Sequence, residues 1–261
     1  MPTLTVTSIA IGLAATSGRG IGGLLMTGAA VLAGQLSVGW LNDLVDADRD
    51  TEVGRTGKPV AAGEISRQAV LVAVLFSAST AVVLSLPFGA LATAAHMIAL
   101  VAAWAYDLGL KAGPLSVLPY AVSFGLLPAF VVLGLPETPM PRPGLVLAAA
   151  LLGSAAHFAN ALPDLVDDVA TGVRGLPHRI GPARSAVVAA GSVLAASVLL
   201  VTGSAGALSG VGWVTLPTAA IVIAVGFLLS RRPGSRAAFH AVMLVALIDV
   251  ALLLSAGAPT N

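Results

Sequence analysis

Long apolar blocks alternate with short polar gaps along most of this chain. The blocks Gln68–Leu86, Leu91–Tyr106, Leu115–Leu135, Leu145–Leu162, Ala183–Val201 and Ala237–Ala256 carry almost no charge. Each is about the length that an α-helix needs to cross a bilayer core of roughly 30 Å. With the less regular blocks included, nine helices are expected, over residues 3–17, 21–41, 68–87, 90–108, 115–135, 144–162, 184–202, 211–230 and 237–256. Gly and Pro punctuate the gaps, at Gly18–Gly20, Pro87–Gly89, Gly113-Pro114, Pro136–Pro143, Gly203–Gly210 and Pro233-Gly234. The first block, Leu4–Thr16, is short for a span and suits a thin bilayer or little tilt.

Composition makes the membrane reading firmer. The chain is 57% hydrophobic with a mean hydropathy of +0.97, against roughly 45–50% apolar residues in soluble domains. A net charge of +1 and scattered basic residues give no case for nucleic acid. Absence of cysteine removes disulfides, thiolate metal sites and a cysteine nucleophile. The amino terminus lacks the basic start of a cleavable signal.

Basic residues test the topology. The gaps after the second, fourth, sixth and eighth blocks hold Arg49, Arg55, Lys58, Arg67, Lys111, Arg174, Arg179, Arg184, Arg231, Arg232 and Arg236, whereas the other gaps hold only Arg19 and Arg142. Positively charged gaps face the cytoplasm. All nine segments are therefore expected to cross, with the amino terminus inside and the carboxyl terminus outside.

Acidic residues fall in two runs, Asn42-Asp43-Leu44-Val45-Asp46-Ala47-Asp48-Arg49-Asp50 and Asp164-Leu165-Val166-Asp167-Asp168, which together hold seven of the chain's twelve acids. Carboxylates beside hydrocarbon are costly unless cations neutralise them. At 100° per residue Asn42, Asp46 and Asp50 share a stripe with Asp43 flanking it, and Asp48 and Arg49 project elsewhere. His157, Asn160, Asp164 and Asp168 share a second stripe, with Asp167 at its edge. Oxygen ligands at i and i+4 suit hard cations that bridge to phosphate oxygens. Two facing stripes have room for two or three Mg²⁺ ions around one diphosphate. The plain alternative is a set of solvated loop acids, which two runs in matching helical register disfavour. Each run closes an even-numbered helix and precedes a basic loop bearing Gly and Pro. That spacing divides a single domain, 1–261, into pseudo-repeat halves of roughly 1–110 and 115–261.

These residues resemble the signatures of the UbiA superfamily of intramembrane prenyltransferases. Asn42-Asp43-x-x-Asp46-x-x-x-Asp50, followed by Arg55, Lys58-Pro59 and Gly63-Glu64-Ile65-Ser66, is similar to the first signature. Asp164-x-x-x-Asp168, with Gly172 and Leu176-Pro177 to Gly181, resembles the second, and Tyr106-x-x-x-x-Lys111 resembles the short motif after the fourth helix. Ala161 and Thr171 depart from the pattern, standing where relatives carry polar or acidic residues; Asp167 is the compensating acid. The resemblance covers essentially the whole chain. It implies that Asp43, Asp46, Asp50, Asp164 and Asp168 bind diphosphate through Mg²⁺, with Asn42 in support. It further implies that Arg55, Lys58, Lys111 and Tyr106 contact the diphosphate or close a loop over it, with Asp46, Asp164 and Lys111 central to catalysis. For Arg55 and Arg67 the competing reading is topology alone; Lys58 and Lys111 are the chain's two lysines.

Further polar residues interrupt the apolar blocks. His157 and Asn160 share the second stripe and are candidate pocket residues, for the prenyl chain or its acceptor. His96 and His240 read as structural, Gln35 lies in the second block, and Asp249 has no partner nearby in sequence. Trp40 and Trp104 read as interfacial anchors. Aromatic residues amount to 5%, few rings to shield an allylic cation.

The expected fold is an all-α, nine-transmembrane-helix bundle in a bacterial cell membrane, its site facing the cytoplasm. The expected reaction transfers a polyprenyl group from its diphosphate to a lipophilic aromatic or quinone-precursor acceptor, with Mg²⁺ as cofactor. A terpene cyclase without an acceptor keeps the same ionisation. A cation-coupled transporter is a third reading, although transporter acids sit near the bilayer midplane and these close helices.

Overall fold

A computed structural model describes residues 2–52, 57–162, 174–203, 210–230 and 237–256. Among them all regular structure is helical: α1 (Pro2–Thr16), α2 (Ile21–Val45), α3 (Ala47–Glu52), α4 (Arg67–Ser85), α5 (Ala90–Asp107), α6 (Leu118–Leu133), α7 (Pro143–Ala161), α8 (Leu176–Ile180), α9 (Pro182–Gly203), α10 (Gly210–Leu229) and α11 (Ala237–Ala256). Single 3₁₀ turns at Leu86–Phe88 and Leu110–Ala112 follow α4 and α5. Nine of the helices answer the nine expected segments, while α3 and α8 are short additions in the basic gaps. Six helices are long and apolar enough to cross a membrane; Thr3–Thr16, Leu118–Leu133 and Val214–Leu229 are shorter apolar helices. The protein is an integral, multi-pass membrane protein.

Packing closes the helices into a ring. α2 packs on α1, α4 and α5, α5 on α6, and α6 on α7. α9 packs on α7, α10 and α11, and α11 returns to α1. Small residues permit the close approaches that lipid-embedded helices rely on. A Cβ on Gly153 of α7 would stand 2.6 Å from the Tyr120 carbonyl oxygen of α6. The outer surface stays apolar, with Phe76 of α4 72% exposed, as a lipid-facing surface requires.

Helix ends differ from the sequence expectation where function concentrates. α2 runs to Val45 rather than 41, which puts Asn42 and Asp43 on the helix itself. Its C-cap, Asp46, donates its backbone N–H to the Asn42 carbonyl, and the Asp50 N–H reaches the Asp46 carbonyl, so the expected stripe survives the step into α3. α6 begins at Leu118 rather than 115, because the 3₁₀ turn and further turns occupy the preceding residues.

Two polar residues, buried Asp249 and half-buried Arg19, acquire partners far away in sequence. Ser197 of α9 donates to Asp249 Oδ1 of α11 at 2.6 Å, and this answers the partner question at mid-helix. Arg19, in the turn after α1, donates to the Val131 carbonyl at 2.7 Å and lies 4.5 Å from the Phe88 ring centroid.

Candidate active site

The acidic end of α2 meets the ends of α3 and α5 at the mouth of a cavity. Asn42 donates from Nδ2 to Asp46 Oδ2 at 3.0 Å and to Asp107 Oδ1, on α5, at 3.2 Å. Lys111, on the 3₁₀ turn after α5, approaches Asp46 Oδ1 at 2.5 Å, and Arg49 reaches Asp46 Oδ2 at 3.2 Å. Arg49 thus joins the cluster that the helical wheel excluded it from, over the i, i+3 spacing. Lys58, between α3 and α4, pairs with Asp43. Asp43 and Asp46 of the first run are therefore each matched by a cation, as acids against hydrocarbon must be. Lys111 and Asp46 are largely buried, with side chains only 12% and 9% exposed. Asp48 stands apart in an exposed pair with Arg67, whose hydrogen bond holds the Asp48 carboxyl below its usual range.

Metal-binding capacity follows from donor chemistry. Asn42, Asp43, Asp46, Asp50 and Asp107 offer only oxygens, which suits Mg²⁺. Asp107 Oδ2 is buried and, among the described residues, has no hydrogen-bond partner. Such an orphaned carboxylate oxygen is a place where a cation would be welcome. No three His, Asp or Glu side chains among the described residues converge into a cage by themselves. The oxygen donors of the described residues fit a hard divalent cation.

The cavity encloses about 580 Å³ and is mostly apolar below its mouth. Asn42, Asp43, Lys58 and Asp107 line the mouth, and Asn160 of α7 lines the same cavity. Trp40, Tyr106, Tyr120 and Phe124 also line it. Tyr106 and Tyr120 meet edge to face at 5.1 Å between centroids. Trp40, near the end of α2, thus lines the cavity as well. Trp104 donates to Ser37 Oγ at 3.3 Å.

The second acidic run, Asp164, Asp167 and Asp168, lies outside the described residues, as does Arg55. The described chain resumes against the first run's cluster. Leu176 donates its backbone N–H to Ser116 Oγ at 2.8 Å, and Ser116 Oγ lies 3.0 Å from His157 Nε2. A Cβ on Gly175 would stand 2.6 Å from the Lys111 carbonyl oxygen, so only glycine allows this approach. His157 is 3% exposed and packs against the Tyr106 and Tyr120 rings, with centroids 5.8 and 5.1 Å away.

Sequence reasoning missed Asp107, Tyr120 and Phe124. Asp107 had a signal, since it closes an apolar block inside the Tyr106–Lys111 segment, as Asn42 and Asp43 close theirs. Tyr120 and Phe124 had only i, i+4 spacing on a helix that is apolar all round.

Comparisons with known proteins agree with this architecture. The model of the UbiA prenyltransferase family matches residues 3–248. A search of curated proteins finds no match. Among solved structures, a UbiA homologue from Aeropyrum pernix K1 shares the fold at TM-score 0.72 and 19% identity, over 96% of each chain. A UbiA homologue from Archaeoglobus fulgidus, bound to GPP and Mg²⁺, aligns at TM-score 0.69 and 16% identity, over 98% of this chain and 96% of that one. A digeranylgeranylglyceryl phosphate synthase structure aligns at TM-score 0.70 and 15% identity, over 98% of this chain and 93% of that one. With the family match spanning nearly its whole length, the chain belongs to the UbiA prenyltransferase family and is an enzyme of that class.

Proposed function

We propose that this enzyme moves a polyprenyl group from its diphosphate to a lipophilic aromatic or quinone-precursor acceptor within the membrane. The observation that carries the reading is the charge-matched cluster of Asp43, Asp46, Lys58 and Lys111 at the mouth of an apolar cavity. A diphosphate head fits the mouth and a hydrocarbon tail fits the arm. The GPP and Mg²⁺ bound to the Archaeoglobus fulgidus homologue support a prenyl diphosphate donor and a divalent metal.

Asp43, Asp46, Asp50 and Asp107, with Asp164, Asp167 and Asp168 from the second run, would hold two or three Mg²⁺ ions. Bound there, Mg²⁺ supplies positive charge against the departing diphosphate. Lys58, Lys111 and Arg55 bind phosphate oxygens that the metal does not cover. Asn42 fixes Asp46 and Asp107 relative to each other. The bond between C1 and oxygen breaks with its electron pair going to diphosphate. Rings of Trp40, Tyr106, Tyr120 and Phe124 flank the allylic cation and exclude water. The acceptor forms the new bond to C1 and loses a proton. Asn160, at the cavity wall, and His157, which packs on the two tyrosines, orient the donor or acceptor. The basic residues around this mouth support a site facing the cytoplasm, and the Ala-, Gly- and Val-rich composition with only two lysines suits a bacterial membrane.

The test incubates purified protein with Mg²⁺, prenyl diphosphates of graded length and a membrane lipid extract, followed by mass spectrometry. An alkylated acceptor and released diphosphate are expected. Cyclised product from the diphosphate alone replaces transfer with cyclisation, a reading that the four cavity rings equally accommodate. Asp46→Ala should abolish diphosphate release while the protein still folds and inserts, at a lowered melting temperature because Lys111 loses its partner; wild-type release from that variant overturns the assignment.

A further inference from the structure

On α5, His96 is the cavity-lining residue farthest from Asp107. It lies eleven residues before Asp107 on α5, about 16 Å along the axis at 1.5 Å per residue. On α2 the deepest lining residue, Val31, lies at the matching depth, twelve residues before Asp43. Phe130 stacks on the imidazole with centroids 4.6 Å apart and backs the ring.

Hydrogen bonding fixes which edge of the ring is polar. Ser85 Oγ donates to the Ala81 carbonyl at 2.7 Å. A hydroxyl carries a single proton, so the 2.8 Å contact between Ser85 Oγ and His96 Nδ1 is donated by the imidazole N–H. In the neutral ring Nε2 is then a bare acceptor. It has no hydrogen-bond partner among the described residues, and it lies against Gly34, where a Cβ would stand 3.2 Å away. Thr93 donates to the Ser85 carbonyl at 2.8 Å and steadies this corner.

We propose that His96 gauges the donor, so that the enzyme takes a prenyl diphosphate of three isoprene units; this rests on the diphosphate site proposed above. Four chain bonds of about 1.5 Å each project to roughly 5 Å per isoprene unit in an extended tail. Three units fill the arm from the mouth to His96. A fourth presses hydrocarbon against an acceptor atom and against a ring that Ser85 and Phe130 hold in place, and so gains little from burial. The same lone pair makes the floor distinguishable from a merely narrow apolar end.

Equilibrium binding of geranyl, farnesyl and geranylgeranyl diphosphates, with Mg²⁺ present, tests this. Wild-type affinity should tighten by about tenfold or more from geranyl to farnesyl, since each buried CH₂ adds to affinity. From farnesyl to geranylgeranyl the gain should stay under about twofold. His96→Ala opens the space before Phe130 and should restore a gain of about tenfold at the second step. His96→Gln keeps an acceptor at the floor and should keep the wild-type cut-off, which leaves the proposal testable if the alanine variant fails to fold. An equal wild-type gain at both steps, or an unchanged profile in His96→Ala, overturns the gauge while the diphosphate site stands. Absence of Mg²⁺-dependent binding at every length overturns the diphosphate site and the gauge with it.

Discussion

Asp46 holds two cations and an amide: Lys111 on one oxygen, Arg49 and Asn42 on the other. Removing one partner of a largely buried pair leaves the other charge uncompensated, at a cost of about 3–5 kcal/mol. Lys111→Met should therefore lower the melting temperature and weaken diphosphate binding together, read by thermal melting and by isothermal titration. Asp48→Asn makes the contrasting case, because its pair with Arg67 is exposed. Turnover should be unchanged in that variant. The Asp48 carboxyl is held low, so its small contribution to stability is present above the ordinary carboxylate pKa and fades as pH falls below it. Sequence alone separated these two acids, because one lies on the Asn42–Asp50 stripe and the other does not. It could not separate Arg49 from solvent, since side-chain reach over one turn is not visible in the angle of a helical wheel.

At the level of elements, the nine apolar segments and their order were legible from block length and the bias of basic gaps. Helix ends were less so. The extension of α2 through Asn42 and Asp43 depends on the Asp46 cap, and the late start of α6 on the turns before it. The cavity was least legible, because Trp40, Tyr106, Tyr120 and Phe124 come from three helices and meet only through packing. Glycine contacts make this packing testable. Gly175→Ala sets a Cβ against the Lys111 carbonyl, a backbone atom that cannot step aside. It should destabilise by about 1–3 kcal/mol and weaken Mg²⁺-dependent diphosphate binding with it. The link between α9 and α11 allows a milder test. Asp249→Asn keeps an acceptor for Ser197, whereas Asp249→Leu removes it and should cost about 1 kcal/mol in a detergent melt.

Across the whole molecule, two of the acids proposed to hold metal, Asp43 and Asp46, are already paired with the protein's own lysines. A divalent ion that displaces Lys58 and Lys111 leaves two ammonium groups in need of an anion, and diphosphate is the anion proposed for them. Mg²⁺ and diphosphate should thus bind with positive coupling, each tightening the other by the same factor. Together they should raise the melting temperature by more than the sum of their separate effects, and a chelator should abolish the excess.

Both lysines of the chain sit at this mouth, Lys58 against Asp43 and Lys111 against Asp46. Side-chain amine chemistry is therefore confined to one spot in the entire protein. A reagent that acylates amines becomes a footprint of site occupancy without any engineered label. Mass spectra of tryptic peptides should register a bound pyrophosphate as protection of these two residues alone.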